Sequence, residues 1–126
     1  MAGEAAPATG GDALDPAVVE RLRQLTPPGE PDVLREILTV FLAEVPRRID
    51  ALKTAWRQGG AADVQRLAHS LKGSTGNIGA DAMFDVCRRI DARAKAGELQ
   101  IADLVEALDR EYARVELAIR QLLKSG

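Results

Sequence analysis

The chain has 126 residues, 46% hydrophobic and 29% charged, with a formal net charge of −2. That length builds one domain with a modest core, and 17 Lys and Arg against 19 Asp and Glu leave no cationic excess for binding a nucleic-acid backbone. Four aromatics are too few for a base-stacking platform, one cysteine makes no internal disulfide, and one histidine closes most metal sites and histidine-dependent triads.

No apolar run approaches the roughly 20 residues that a bilayer crossing needs. The N-terminal MAGEAAPATGG lacks the apolar stretch of a signal peptide, and a cytoplasmic, reducing setting is the expectation. Residues 1–13 carry almost nothing to bury, which predicts a disordered tail ahead of a helical bundle over residues 14–126.

Asp15 before Pro16 is a helix start, with a side-chain acceptor at the cap and proline at the first helical position. Val18, Val19, Leu22 and Leu25 then predict a short helix ending at Thr26-Pro27-Pro28-Gly29. A second start follows at Pro31-Asp32. Leu34, Ile37, Phe41, Val45, Ile49, Leu52 and Trp56 recur at steps of three and four, the signature of one long amphipathic helix. Pro46 inside it removes a backbone donor and crowds Leu42, so a bend is expected there.

Gly59-Gly60 ends that helix. A third runs from about Ala61 to Ile78, with Val64, Leu67, Ala68, Leu71 and Ile78 on one side and Gly79 as its break. A fourth, Asp81 to Ala96, buries Met83, Phe84, Cys87, Ile90 and Ala94 and stops at Gly97. Ile101, Leu104, Val105, Leu108, Tyr112, Val115, Ile119 and Leu122 mark the last. The expected fold is all-α: an antiparallel four-helix bundle with a short additional N-terminal helix.

The chemistry concentrates around the one histidine. With about 100° of rotation per residue, the apolar stripe of the third helix points His69 away from the core. Lys72 falls at the flank, and Gly73 and Gly76 fall on the same open face. Glycine inside a helix costs about 0.5–1 kcal/mol relative to alanine, so two of them beside an exposed histidine call for a reason. Bare backbone lets another protein approach the ring. Lys72 is placed to neutralise a dianion carried on it, and a neutral imidazole offers a nucleophilic nitrogen at cellular pH. Together these features point to reversible phosphoryl transfer between proteins. Ala62, Gln65, Arg66 and Asn77 share that face and are the expected docking surface. Cys87, on an apolar stripe, reads as a core thiol, and the basic stretch Arg88, Arg89, Arg93 and Lys95 as a solvated face.

Ala68-His69-Ser70-Leu71-Lys72-Gly73-Ser74, with glycines at 76 and 79, resembles the signature of histidine-containing phosphotransfer (HPt) domains of two-component phosphorelays. Phe41-Leu42 to Leu52 before the motif, and Cys87 with Ile90 after it, resemble the flanking helices. The resemblance implies a helical bundle whose His69 takes phosphate on Nε2 and exchanges it with an aspartate of a receiver domain. Lys72 would steady the phosphoryl group and Gly73 leave room for the partner's loops. The next helix would bring Asp91 and Lys95 near the ring. Glutamine is common at the position of Asp91, and an acid there is expected to repel phosphate. The receiver supplies Mg²⁺, so no cofactor or metal is implied for this chain.

Its implied partners are response-regulator receiver domains and a hybrid histidine kinase, with no nucleic acid or membrane, and a monomer is the expected state. Such a protein is a phosphoryl carrier rather than an enzyme, without autonomous kinase activity. Two other readings stand beside it. One is a non-catalytic helical adaptor that binds a receiver or kinase. The other is the excised phosphoacceptor domain of a chemotaxis-type or hybrid kinase.

Overall fold

The computed structural model describes residues 12–125, and within them the core already includes Ala13 and Leu14, both buried. The expected tail therefore gives way to packed chain by Ala13; residues 1–11 of that expectation lie outside the described residues. Helix α1 (Pro16–Arg23) starts as its sequence dictates: the Asp15 carboxylate accepts from the Ala17 N–H at 2.9 Å, with proline in the first turn. Leu25 falls beyond its end and is 60% exposed, so the apolar stripe of α1 stops at Leu22.

Four longer helices follow: α2 (Val33–Arg57), α3 (Ala61–Asn77), α4 (Asp81–Lys95) and α5 (Ala102–Ser125). The described residues contain no strand. Asp32 caps α2 by accepting from Arg35 N–H, and the helix runs unbroken through Pro46. Cross-links fix the antiparallel order. Between α2 and α5, Arg35 donates to the Leu123 carbonyl at 3.1 Å, Phe41 stacks on Tyr112, and Lys53 pairs with Asp109 at 2.7 Å. At the far end of α2 the Trp56 indole N–H donates to the Leu99 carbonyl, tying it to the loop before α5.

The stripes read from the sequence meet at one centre. Leu52, Val64, Leu71, Met83, Cys87, Ile90, Leu108 and Ile119 are all fully buried, each apolar side chain of this size stabilising the fold by about 1.5–3 kcal/mol. The α3–α4 turn is closely packed. Gly79 adopts φ +73° there, and a Cβ on it would lie 2.8 Å from the Val18 side chain. The Asp15 N–H donates to the Gly79 carbonyl at 2.8 Å. Glycine at this position thus serves the turn and the docking of α1 together.

Candidate functional site

Core packing sets the rotation of α3. Val64, Leu67, Ala68, Leu71 and Thr75 face inward, and the buried Thr75 hydroxyl donates back to the Leu71 and Lys72 carbonyls. His69 is therefore turned outward, its side chain 67% exposed. The ring stands at the α3–α4 seam.

Across that seam Asp91 projects from α4. Its carboxylate is nearly buried and gathers three side chains of α3: Gln65 Nε2 donates to Oδ1 at 2.7 Å, while His69 Nδ1 and Lys72 Nζ each lie 3.2 Å from Oδ2. Burial pushes the Asp91 carboxyl up. The hydrogen bonds from Gln65, His69 and Lys72, with the Lys72 charge, outweigh that and hold it below the ordinary carboxylate range. Nδ1 is engaged; Nε2, across the ring, is the nitrogen left for a reactant.

The glycines divide. A Cβ on Gly73 would meet nothing within 4 Å, so the approach beside His69 is open there. Gly76 is also exposed, but a Cβ on it would touch the Phe84 ring of α4 at 3.5 Å. Of the two, Gly73 faces open space, whereas Gly76 is exposed and borders α4 at ordinary contact distance.

Among the expected docking residues, Ala62 and Arg66 are exposed, Arg66 lying 3.6 Å from Asp63. Gln65 is half-buried, its amide given to Asp91. Asn77 lines a groove of about 450 Å³ between α2 and α3, with Ile37, Val40 and Phe41 on its opposite wall. Val40 is 54% exposed in that groove, and Arg48 spans it, donating to Ser74 and to Glu44. Lys95 is exposed and makes no hydrogen bond or ion pair with His69, Lys72 or Asp91. Burial pushes the Cys87 thiol up to about 12, which suits the core role read from its stripe.

Asp91 is the residue whose part the sequence obscured. An acid near a phosphate site reads as repulsion, yet here it is the common acceptor for three neighbours. The available signal was spacing: Gln65, His69 and Lys72 sit at steps of four and three on one side of α3.

An Hpt domain family model matches residues 36–123 of the chain. The chain belongs to this family. Phosphorelay protein LuxU of Vibrio vulnificus, in strains YJ016 and CMCP6, is 29% identical over 93 residues, spanning 72% of this chain and 81% of that protein. Among solved structures, histidine-containing phosphotransfer protein B (HptB) of Pseudomonas aeruginosa PAO1 is similar with a TM-score of 0.84 and 30% identity, over 90% of this chain and 96% of that one. The HPT domain of a hybrid histidine kinase from Shewanella shares the fold with a TM-score of 0.71 at 20% identity, over 87% of this chain and 89% of that one. The Hpt chain is thus a phosphotransfer protein of relay type. No helix among its described residues is long and apolar enough to cross a membrane.

Proposed function

We propose that this Hpt protein carries the phosphoryl group on Nε2 of His69, receiving it from and passing it to aspartates of receiver domains. The observation that supports this reading is a two-thirds exposed imidazole whose Nδ1 is occupied by Asp91, beside the open backbone of Gly73. In the transfer the Nε2 lone pair attacks the phosphorus of an aspartyl phosphate. The P–O bond breaks, and its electron pair leaves on the receiver's carboxylate. The reverse step regenerates the imidazole. Lys72, now held by Asp91, is the cation placed to swing toward the phosphoryl oxygens.

The receiver brings its own acidic pocket and Mg²⁺, and this chain contributes nucleophile, cation and clearance. Docking extends from the exposed face of α3 over the α2–α3 groove, where Ile37 and Val40 suit an apolar receiver surface. The cell compartment consistent with such partners is the cytoplasm, and the chain carries phosphate without making it from ATP.

Labelling with a phosphorylated receiver tests the reading. Wild type is expected to form an acid-labile, base-stable phosphoryl bond, and His69→Gln to keep its helicity and accept none. Because His69 is the chain's one histidine, the same bond chemistry in His69→Gln would overturn the assignment. A chain that binds the phospho-receiver but never takes up label would instead be an adaptor.

A further inference from the structure

The groove between α2 and α3 carries a row of charge along one edge. Glu36, Val40, Glu44 and Arg48 recur every four residues on α2 and so stand one above the other, with Ile37 and Phe41 in the row beside them. Arg48 is the one cation among the described lining residues. Its side chain is only a third exposed and reaches across to α3: Nη1 donates to the Ser74 hydroxyl at 3.1 Å, and Nη2 to Glu44 Oε1 at 2.7 Å. A guanidinium has five N–H donors, so these two contacts leave the larger part of the fork uncommitted.

Its position is as distinctive as its bonding. Ser74 directly follows Gly73. At about 1.5 Å per residue it lies about 7.5 Å along α3 from His69, on the side turned to α2. Arg48 therefore flanks the open backbone on the α2 side, as Lys72 flanks the ring on the α4 side. The other cations of this face are placed differently. Arg66 leans on Asp63, and Arg88 and Arg89 on Asp85, each a turn away on its own exposed helix face; pairs of that kind hold little energy.

Resting on the proposed exchange with receiver domains, we infer that Arg48 is a specificity-determining residue that reads a carboxylate on the receiver at the edge of the His69 site. The receivers it admits carry an acid there, beside an apolar side chain for Val40. A receiver that holds Mg²⁺ at its phosphorylation site does so through carboxylates, so the surface it turns toward His69 is acidic and the complement on this chain is cationic. The planar fork of Arg48 retains Glu44 and Ser74 and still offers N–H groups to a third acceptor, which a lysine ammonium does not do in one fixed geometry. Glu44 and Ser74 hold that fork in place before the partner arrives. A receiver with a lysine or arginine at the facing position meets like charge and is turned away.

The contact is read by capture of a receiver domain, with Mg²⁺ and no phosphate donor, on the full chain carrying His69→Gln, so that no phosphoryl transfer enters the measurement. In that background Arg48→Ala is expected to weaken capture about tenfold at low salt, and Arg48→Lys to recover the smaller part of the loss. The loss is expected to shrink as salt is raised. Charge exchange supplies a signature that a merely structural bridge between α2 and α3 would not give. Each Asp and Glu around the receiver's phosphorylation site, outside the Mg²⁺ pocket, is changed to Lys in turn and titrated against the chain with Arg48 and the chain with Arg48→Glu. One such receiver is expected to bind the Arg48 chain about tenfold more weakly and to regain about threefold or more with Arg48→Glu.

Capture by Arg48→Ala within about twofold of its parent, or an equal response of both chains to every receiver variant, would overturn the inference. If Arg48→Glu does not fold, Arg48→Gln takes its place, and the absence of any receiver variant whose penalty it relieves counts against the inference in the same way. Each of those results leaves the labelling of His69 intact, and a failure of labelling leaves the titration readable, so the two readings fail separately.

Discussion

The two seams that flank α3 differ in how far they are filled. Toward α4 the contact is polar and tight, with Gln65, His69 and Lys72 converging on one buried carboxylate. Toward α2 it is an open groove, where Ile37, Val40 and Phe41 alternate with Glu36, Glu44 and Arg48 and face Ser74 and Asn77. One helix thus holds its histidine at a hydrogen-bonded seam and borders an unfilled groove on the other side. The difference shows how a small bundle reconciles two demands. In the proposed function the nucleophile needs a fixed orientation, whereas a protein partner needs unoccupied area.

Substitutions on each side break this comparison with different signatures. The largest effect belongs to the ring's approach. Gly73→Leu meets no neighbour within 4 Å at its Cβ and should fold, yet it should slow phosphoryl transfer by about a hundredfold by obstructing the partner. Transfer at the wild-type rate would remove the clearance argument. Below that comes the packing that holds α3 in phase. Leu71→Ala, at a fully buried position, should lower unfolding free energy by about 2–5 kcal/mol in a urea titration. A loss under 1 kcal/mol would mean that this side chain does not anchor α3.

On the groove side, Val40→Asp should weaken capture of a receiver by about tenfold without altering the His69 tautomer. A tautomer change in that variant would show the seams to be coupled. The smallest effect is a gain. Gly73→Ala should raise stability by about 0.5–1 kcal/mol, since the mid-helix glycine is needed by no contact within the chain. Acid titration gives the polar seam its own signature. Asp91 sits below its ordinary range, so its contribution to folding is complete above the unfolded carboxylate value and is lost as pH falls through the lower folded one. Asp91→Leu should lack that acid limb.

The helices were legible because each carries its apolar stripe at the helical period, and their bounds fall within a residue or two of the capping signals. Asp15, Gly59-Gly60, Gly79 and Gly97 all mark helix ends in the sequence and in the fold. The outward direction of His69 was legible for the same reason. What periodicity does not carry is the register between helices. Whether Asp91 lies opposite His69 or a turn away depends on how Phe84, Cys87 and Ile90 interlock with α3, and no count along one helix reveals it. The same gap hid the neighbour of Gly76, which is exposed as its angle around α3 foretold but borders the Phe84 ring. Ala13 was missed differently: a single small apolar residue after a Gly-rich stretch shows no period, although it is buried beside Leu14.

The most direct test of the central claim is the bond itself. Phosphorylate the uniformly ¹⁵N-labelled chain from a phospho-receiver and record the ³¹P–¹⁵N correlation. The account predicts one phosphoramidate signal, coupled to Nε2 of His69. Phosphorus coupled to Nδ1, or carried on an oxygen, would contradict it.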